Sequence, residues 1–197
     1  MRMLDLYSGL GGASEAFLQA GWDVTRLENN PLLSGVPNTE ICDVRNLVEN
    51  RVDWGGPIDL VWASPPCREF STAYTAPGPK AIREGRDFEP DLTLLRVAKQ
   101  IIDMINPRWW VIENVSGASK IFSRELGMPP RQIVGPFFLW GLFPRLIMPS
   151  GWSHSKADND TWSDDPLRPN KRGKIPLGVS EKLLQAISEQ RSLEDYI

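Results

Sequence analysis

The chain has 197 residues, a formal net charge of −3, a hydrophobic fraction of 41% and a charged fraction of 24%, the proportions of an ordinary globular domain with enough chain to bury a core. No apolar run approaches a membrane span, charges at Arg2 and Asp5 come too early for a secretory h-region, and Cys42 and Cys67 make no disulfide framework, so a cytoplasmic protein is expected. The mild acidity excludes the overall basic surplus usual in nucleic-acid binders, although Lys80, Arg83 and Arg86, and Arg168, Lys171, Arg172 and Lys174, form two basic clusters that can either meet phosphates or stay solvated.

Met3–Tyr7 reads as a short apolar strand, Ser8–Gly12 as a tight loop, and Ala13–Ala20 as a helix with Gly21 at its C-terminal cap. Val24–Leu27 is a second strand ending at Glu28-Asn29-Asn30, and a turn leads to a third at Glu40–Val44. Pro57–Ala63 is the next strand, running into Ser64-Pro65-Pro66-Cys67-Arg68-Glu69-Phe70-Ser71. Residues 73–90, rich in Pro, Gly and charge, read as a long mobile loop. Leu92, Leu95, Val97, Ile101, Ile102 and Ile105 have helical spacing over Asp91–Ile105, and Pro107 ends that helix. Trp109–Ile112 is a buried strand delivering Glu113-Asn114-Val115. Ile133-Val134, Phe137–Trp140 and Leu146–Met148 suggest antiparallel strands or a hairpin. Residues 149–172 look like loop, with the lone His154 a surface histidine, and Val179–Glu189 is a closing amphipathic helix. Strands alternating with helices predict an α/β protein with a mostly parallel sheet flanked by helices, built as one domain over 1–197.

Three strand ends carry chemistry. The first is the glycine loop, which opens a helix and offers backbone N–H groups to a ligand. Glu28, at the end of the second strand, stands where dinucleotide-type folds place a carboxylate on ribose hydroxyls. Asp43, after the third, is placed to accept from an adenine amino group. Each acid alone is a surface or capping residue as readily as a ligand; together they suit one nucleoside-shaped molecule. Cys67 follows two prolines that restrict the backbone, past a strand end of the kind where open α/β sheets bind ligands. It is either a nucleophile or a small buried hydrophobe. Glu113, by itself as well explained by a cap or salt bridge, lies at the neighbouring strand end. A thiolate and a carboxyl facing one pocket suit covalent addition to an electrophilic ring, with the acid polarising a ring nitrogen. No metal site is expected.

The stretches Asp5-Leu6-Tyr7-Ser8-Gly9-Leu10-Gly11-Gly12 with Phe17 and Ala20-Gly21, Glu28, Cys42-Asp43-Val44, Pro65-Pro66-Cys67-Arg68-Glu69-Phe70-Ser71 and Glu113-Asn114-Val115 together resemble the DNA cytosine-5 methyltransferase family in order and spacing. The resemblance covers 1–115. It implies a Rossmann-like methyltransferase fold and an enzyme that takes a methyl group from S-adenosylmethionine. Asp5, Tyr7, Ser8, Gly9, Leu10, Gly11, Gly12, Glu28, Asn29, Asp43, Val44 and Pro65 would form the donor site, the Tyr7 ring packing on the donor. Cys67 would attack C6 of a flipped-out cytosine in DNA, and Glu113 would hold and protonate N3. Pro66, Ser71, Asn114 and Arg145, or Arg131 in its place, would contact the base, and residues 73–90 would act as a lid.

Beyond Val115 the chain departs from the family. The Gln-x-Arg-x-Arg segment is missing; its counterpart is Arg131-Gln132-Ile133 through Pro144-Arg145. Only residues 146–172 stand where a target-recognition domain belongs, and the closing Gly-Asn-Ala-Val-Pro element survives as Arg172-Gly173-Lys174-Ile175-Pro176. A compact enzyme, of a kind expected in a phage or restriction-modification setting and able to act as a monomer, is the leading expectation. Single-stranded nucleic acid or a free cytosine nucleotide as substrate, and a non-catalytic DNA-binding module, are its alternatives.

Overall fold

Successive residues of the central strands point into two different cores, and this alternation sets the layers. In the computed structural model, which describes residues 1–50, 53–155 and 164–194, Met3 of β1 (Arg2–Leu6) joins one cluster while Leu4 and Leu6 join the other. Leu60 and Trp62 of β4 (Leu60–Ala63) part from Val61 and Ala63 in the same way. A strand buried on both faces reads as an unbroken apolar run, as a covered parallel sheet requires.

The remaining strands are β2 (Asp23–Glu28), β3 (Thr39–Ile41), β5 (Trp109–Asn114), β6 (Gln132–Val134) and β7 (Phe137–Leu142). They form one seven-stranded sheet in the order β3-β2-β1-β4-β5-β7-β6. The first five are parallel; β7 runs antiparallel to both β5 and β6. This is the expected α/β architecture with a mostly parallel sheet, closed by the expected hairpin. Leu146–Met148 forms no strand. Instead the Gln132 side chain pairs reciprocally with Leu146, donating to its carbonyl at 2.7 Å and accepting from its N–H at 2.9 Å.

One face is covered by α1 (Glu15–Gln19) and α7 (Leu177–Glu194). Val179, Leu183 and Ile187 recur every four residues and bury against Phe17 and Trp109. The other face carries α4 (Thr93–Ile105) and α5 (Ser119–Leu126), with Leu95, Ala98, Ile101, Ile102 and Phe122 packed on Ile112 and Trp140. The α4 helix stops where Asn106 turns left-handed ahead of Pro107.

Several boundaries differ from the sequence expectation. The first helix starts at Glu15, because Ser14 commits its hydroxyl to Asp5 and caps nothing. Arg45–Asn50 forms a helix, α2, that the sequence reading passes over; Asp43 starts it by accepting the Arg45 N–H at 3.0 Å. Residues 73–90 are not wholly loop: Pro77–Arg83 is a helix, α3, with proline in its first turn. In the stretch 149–172, Arg168–Gly173 begins a short helix, α6, while 156–163 lie outside the described residues. The closing helix runs from Leu177 rather than Val179.

A Cβ on Gly12 would lie 2.2 Å from the Ile175 carbonyl oxygen, so the C-terminal segment docks through this glycine. Gly12→Ala should therefore lower stability by about 1–3 kcal/mol, read as a lower urea midpoint. Gly35→Ala, with nothing within 4 Å, should stay within about 0.5 kcal/mol of the parent.

Candidate active site

The parallel register brings the strand ends to one level. Leu6 lies opposite Leu27 on one side and Ala63 on the other, and Ala63 lies opposite Ile112. The chain leaves β1 toward β2 and β3, and leaves β4 the opposite way toward β5. The β1/β4 boundary is thus a topological switch point, where open α/β sheets bind ligands. The glycine loop follows β1, and the Pro-Pro-Cys loop follows β4.

Tyr7 turns the chain out of β1 with φ +59°. Its hydroxyl donates to the Leu94 carbonyl at 2.8 Å, fastening the start of α4, and burial pushes the phenol above its ordinary range. Glu28 is 8% exposed. One of its carboxylate oxygens accepts the Gly9 N–H at 2.8 Å, the other those of Asn29 and Asn30 at 3.0 Å each. It shapes the glycine loop directly, with Leu10 half-buried and Asn29 exposed beside it. Ser8 Oγ is buried with no hydrogen-bond partner.

Below the loop lies a buried polar network. Ser14 donates to Asp5 at 2.6 Å and accepts from Arg26 Nε at 2.8 Å. Arg26, 1% exposed, also donates to the carbonyls of Gly11 at 3.0 Å and Pro37 at 2.9 Å, and reaches the Glu15 carboxylate at 3.4 Å. Asp5 therefore supports the loop from below. Desolvation raises its pKa from 3.8 to about 7, with the Ser14 hydrogen bond and Arg26 acting against the rise. Gly11 and Gly12 serve the protein's own packing, against Arg26 and Ile175 respectively.

The Pro-Pro-Cys loop is pinned at three points. Asn114 donates its side-chain amide to the buried Pro65 carbonyl at 2.9 Å and accepts the Val115 N–H at 2.9 Å. A Cβ on Gly117 would lie 2.0 Å from the Phe70 carbonyl oxygen, so only glycine admits the loop here. The Phe70 ring meets Phe122 edge-on at 5.0 Å. Between these pins Pro66 is exposed and Cys67 half-buried. Glu113, 7% exposed, occupies the end of the next strand. Cys67 and Glu113 thus share a sheet edge, as expected from the strand ends, and Asn114 clamps the loop between them. Ser71 is spent on a local turn, accepting the Ala73 N–H at 3.2 Å.

The remaining candidate residues have these surroundings. Asp43 is bound by the Arg45 guanidinium, which holds its carboxyl at about 2. Val44 is buried in the hydrophobic cluster of α2, α4 and α5. Arg145 is exposed, and Arg131 donates to the Phe143 carbonyl. His154 is half-buried and no plain surface residue: it stacks on Phe137 at 5.5 Å and on Trp152 at 6.4 Å. On α3, the Arg83 guanidinium covers the Tyr74 ring at 3.7 Å, and Glu84 pairs with both Lys80 and Arg86. No helix among the described residues is long and apolar enough to cross a membrane, and none of them form a metal-binding cluster.

Sequence reasoning missed Arg26, Ser14 and Gly117. Arg26 carried a signal, since a lone arginine inside an apolar strand needs buried partners. Gly117 carried none, because its contact is 47 residues away in sequence.

The family model for C-5 cytosine-specific DNA methylase matches residues 1–125. The type II methyltransferase M.HindV of Haemophilus influenzae is 32% identical over 130 residues, 61% of this chain and 39% of its own length. M.HgiGI of Herpetosiphon aurantiacus is 31% identical over 126 residues, 60% of this chain and 93% of its own. A solved structure described as a DNA modification methyltransferase encoded within an E. coli prophage overlaps 64% of this chain and 35% of that one, at 21% identity and a TM-score of 0.44. The chain thus spans well under half the length of M.HindV.

Two outcomes test the supports. Asp5 has a raised pKa in the folded state, so the stability it contributes is full below about pH 4 and is lost as pH rises through 7. The unfolding free energy of the parent relative to Asp5→Asn should fall by on the order of a few kcal/mol between pH 4.5 and 8, measured by urea denaturation. Asn114→Ala leaves the Pro65 carbonyl buried without its partner and should cost about 1–3 kcal/mol in the same assay at pH 7.

Proposed function

The chain belongs to the C-5 cytosine-specific DNA methylase family, and we propose that it methylates C5 of cytosine in DNA with S-adenosylmethionine as donor, through a covalent bond between Cys67 and C6. The observation that carries this is the clamped loop. Asn114 ties the Pro-Pro-Cys backbone to β5, the strand that ends in Glu113, so nucleophile and acid are held by one structural unit.

The donor fits the glycine-loop side. Ser8 Oγ is buried and lacks a partner, and the Glu28 carboxylate has lone pairs left for ribose hydroxyls after accepting three N–H groups. Ser8, the Gly9 backbone and Glu28 would hold it. Bound there, S-adenosylmethionine supplies an electrophilic methyl group on its sulfonium.

The rest of the chemistry falls to the chain's own residues. The Cys67 thiolate adds to C6, and the C5–C6 π electrons shift to C5. Glu113, protonated, gives its proton to N3 and takes up the charge that addition places on the ring. When C5 later loses its proton to a base, the electron pair restores the double bond and expels Cys67 as thiolate, while N3 returns its proton to Glu113. A cytosine in duplex DNA must leave the stack first, at a cost of about a few kcal/mol. The burial of Glu113 beside apolar strands keeps water from the acid.

A second reading keeps the chemistry and changes the substrate to single-stranded nucleic acid or a free cytosine nucleotide. It is favoured by the stretch between β7 and α7, where the described residues form only one short helix, far less than a unit that reads the major groove.

DNA carrying 5-fluorocytosine tests the mechanism, because fluorine at C5 cannot leave as the proton does. With S-adenosylmethionine present, the parent should form a complex that survives denaturing electrophoresis. Cys67→Ser should form none and lose about 10³-fold or more in methyl transfer. Equal transfer by Cys67→Ser would exclude the covalent route. Running duplex, single-strand and nucleotide substrates in parallel separates the two readings.

A further inference from the structure

Ser64 is the single residue between β4 and the Pro-Pro-Cys loop, and the pairings on either side of it fix its neighbour. Ala63 lies opposite Ile112, and the Pro65 carbonyl accepts from Asn114 at 2.9 Å, so the residue between them faces Glu113. The Ser64 N–H donates to the Leu6 carbonyl at 3.1 Å, which carries the sheet ladder one step past Ala63. Side chains two apart on a strand share a face. Trp62 and Val111, two residues before Ser64 and Glu113, belong to the same core cluster, and the buried Trp62 indole N–H donates to Ser64 Oγ at 2.8 Å. Leu139, opposite Glu113 on β7, is in that cluster too. Ser64 and Glu113 therefore stand on one face of adjacent strands, which run about 4.8 Å apart.

We infer that Ser64 is a positioning residue for Glu113: its hydroxyl donates to the Glu113 carboxylate once the acid has given its proton to N3. This rests on the catalytic reading above. A serine hydroxyl has one proton and two lone pairs. The indole occupies one lone pair and sets the place of the oxygen, while the proton has no acceptor among the described residues and is free to turn. Before the transfer Glu113 is neutral. Afterwards it is a carboxylate at a position only 7% exposed, and a buried anion is costly unless donors face it. Ser64 supplies one from the neighbouring strand and keeps its own proton throughout. When N3 returns its proton to Glu113, the hydroxyl turns away again. A rival role for Ser64 is to satisfy the buried indole and nothing more, and the two roles are separable by substitution.

Two rates on the full chain test this. One is methyl transfer at saturating DNA and S-adenosylmethionine. The other is tritium release from C5-labelled cytosine in DNA without donor, where addition of Cys67 lets C5 take a proton from water and elimination then removes the label. Ser64→Ala should lower both rates about tenfold and leave the KM for DNA within about twofold. Ser64→Thr, which keeps the hydroxyl, should stay near the parent. The loss should persist in a Trp62→Phe chain, where no indole N–H needs an acceptor. It should vanish in a Glu113→Gln chain, because the two side chains act as one unit. Unchanged rates in Ser64→Ala, a loss that disappears with Trp62→Phe, or an equal loss on top of Glu113→Gln would overturn the assignment while leaving the catalytic reading intact. A parent chain that shows neither reaction would overturn both.

Discussion

Everything at the site depends on β1 lying in parallel register between β2 and β4. That placement puts Leu6, Leu27, Ala63 and Ile112 at one level. The residues that follow each of them must then emerge on one edge of the sheet: the glycine loop, Glu28, the Pro-Pro-Cys loop and Glu113. No side-chain interaction could assemble these groups so economically, since they are spread over more than a hundred residues of chain. The opposite departures of the chain from β1 and β4 open the crevice between the two loops.

The two loops are stabilised by different physics. The glycine loop rests on buried polar groups. Arg26 makes four contacts, three of them to a carbonyl or hydroxyl oxygen, and desolvating a guanidinium costs several kcal/mol unless each donor finds an acceptor. That requirement makes the network specific: Ser14, the Gly11 carbonyl and the Pro37 carbonyl must all be where they are. The Pro-Pro-Cys loop rests on close packing and one amide. Phe70 on Phe122, the Gly117 approach and the Asn114 bond leave its backbone little freedom, while Cys67 itself stays accessible between them.

The elements legible in the sequence were those with a local cause. Leu60–Ala63 and Trp109–Ile112 are unbroken apolar runs, and the α4 stripe from Leu92 to Ile105 has the helical period; each stands close to where that pattern places it. Cys67 and Glu113 were legible because strand ends are predictable from such runs. Several of the candidate site residues share one property: where two partners were plausible, each makes a contact inside the protein. Tyr7 chose the Leu94 carbonyl, Asp43 chose Arg45, Asn114 chose Pro65 and Val44 chose the core. A motif marks such residues as belonging near a site, but only tertiary packing separates those that face it from those that hold it up. Arg83 and Lys80 likewise find partners just outside α3, Tyr74 before it and Glu84 after it, which no composition argument foresees.

The supporting side of this division lies within the described residues. Supporting contacts are short-range and internal: Asn114 to Pro65, Glu28 to Gly9, Gly12 to Ile175. They need only the sheet and the helices that cover it, all of which lie in the described residues. Reading a nucleotide's neighbours is different, because it needs surface that extends beyond the sheet edge along the nucleic acid. Among the described residues α6 is the one helix between β7 and α7, and its Asn170 lies against the glycine loop rather than beyond the sheet edge.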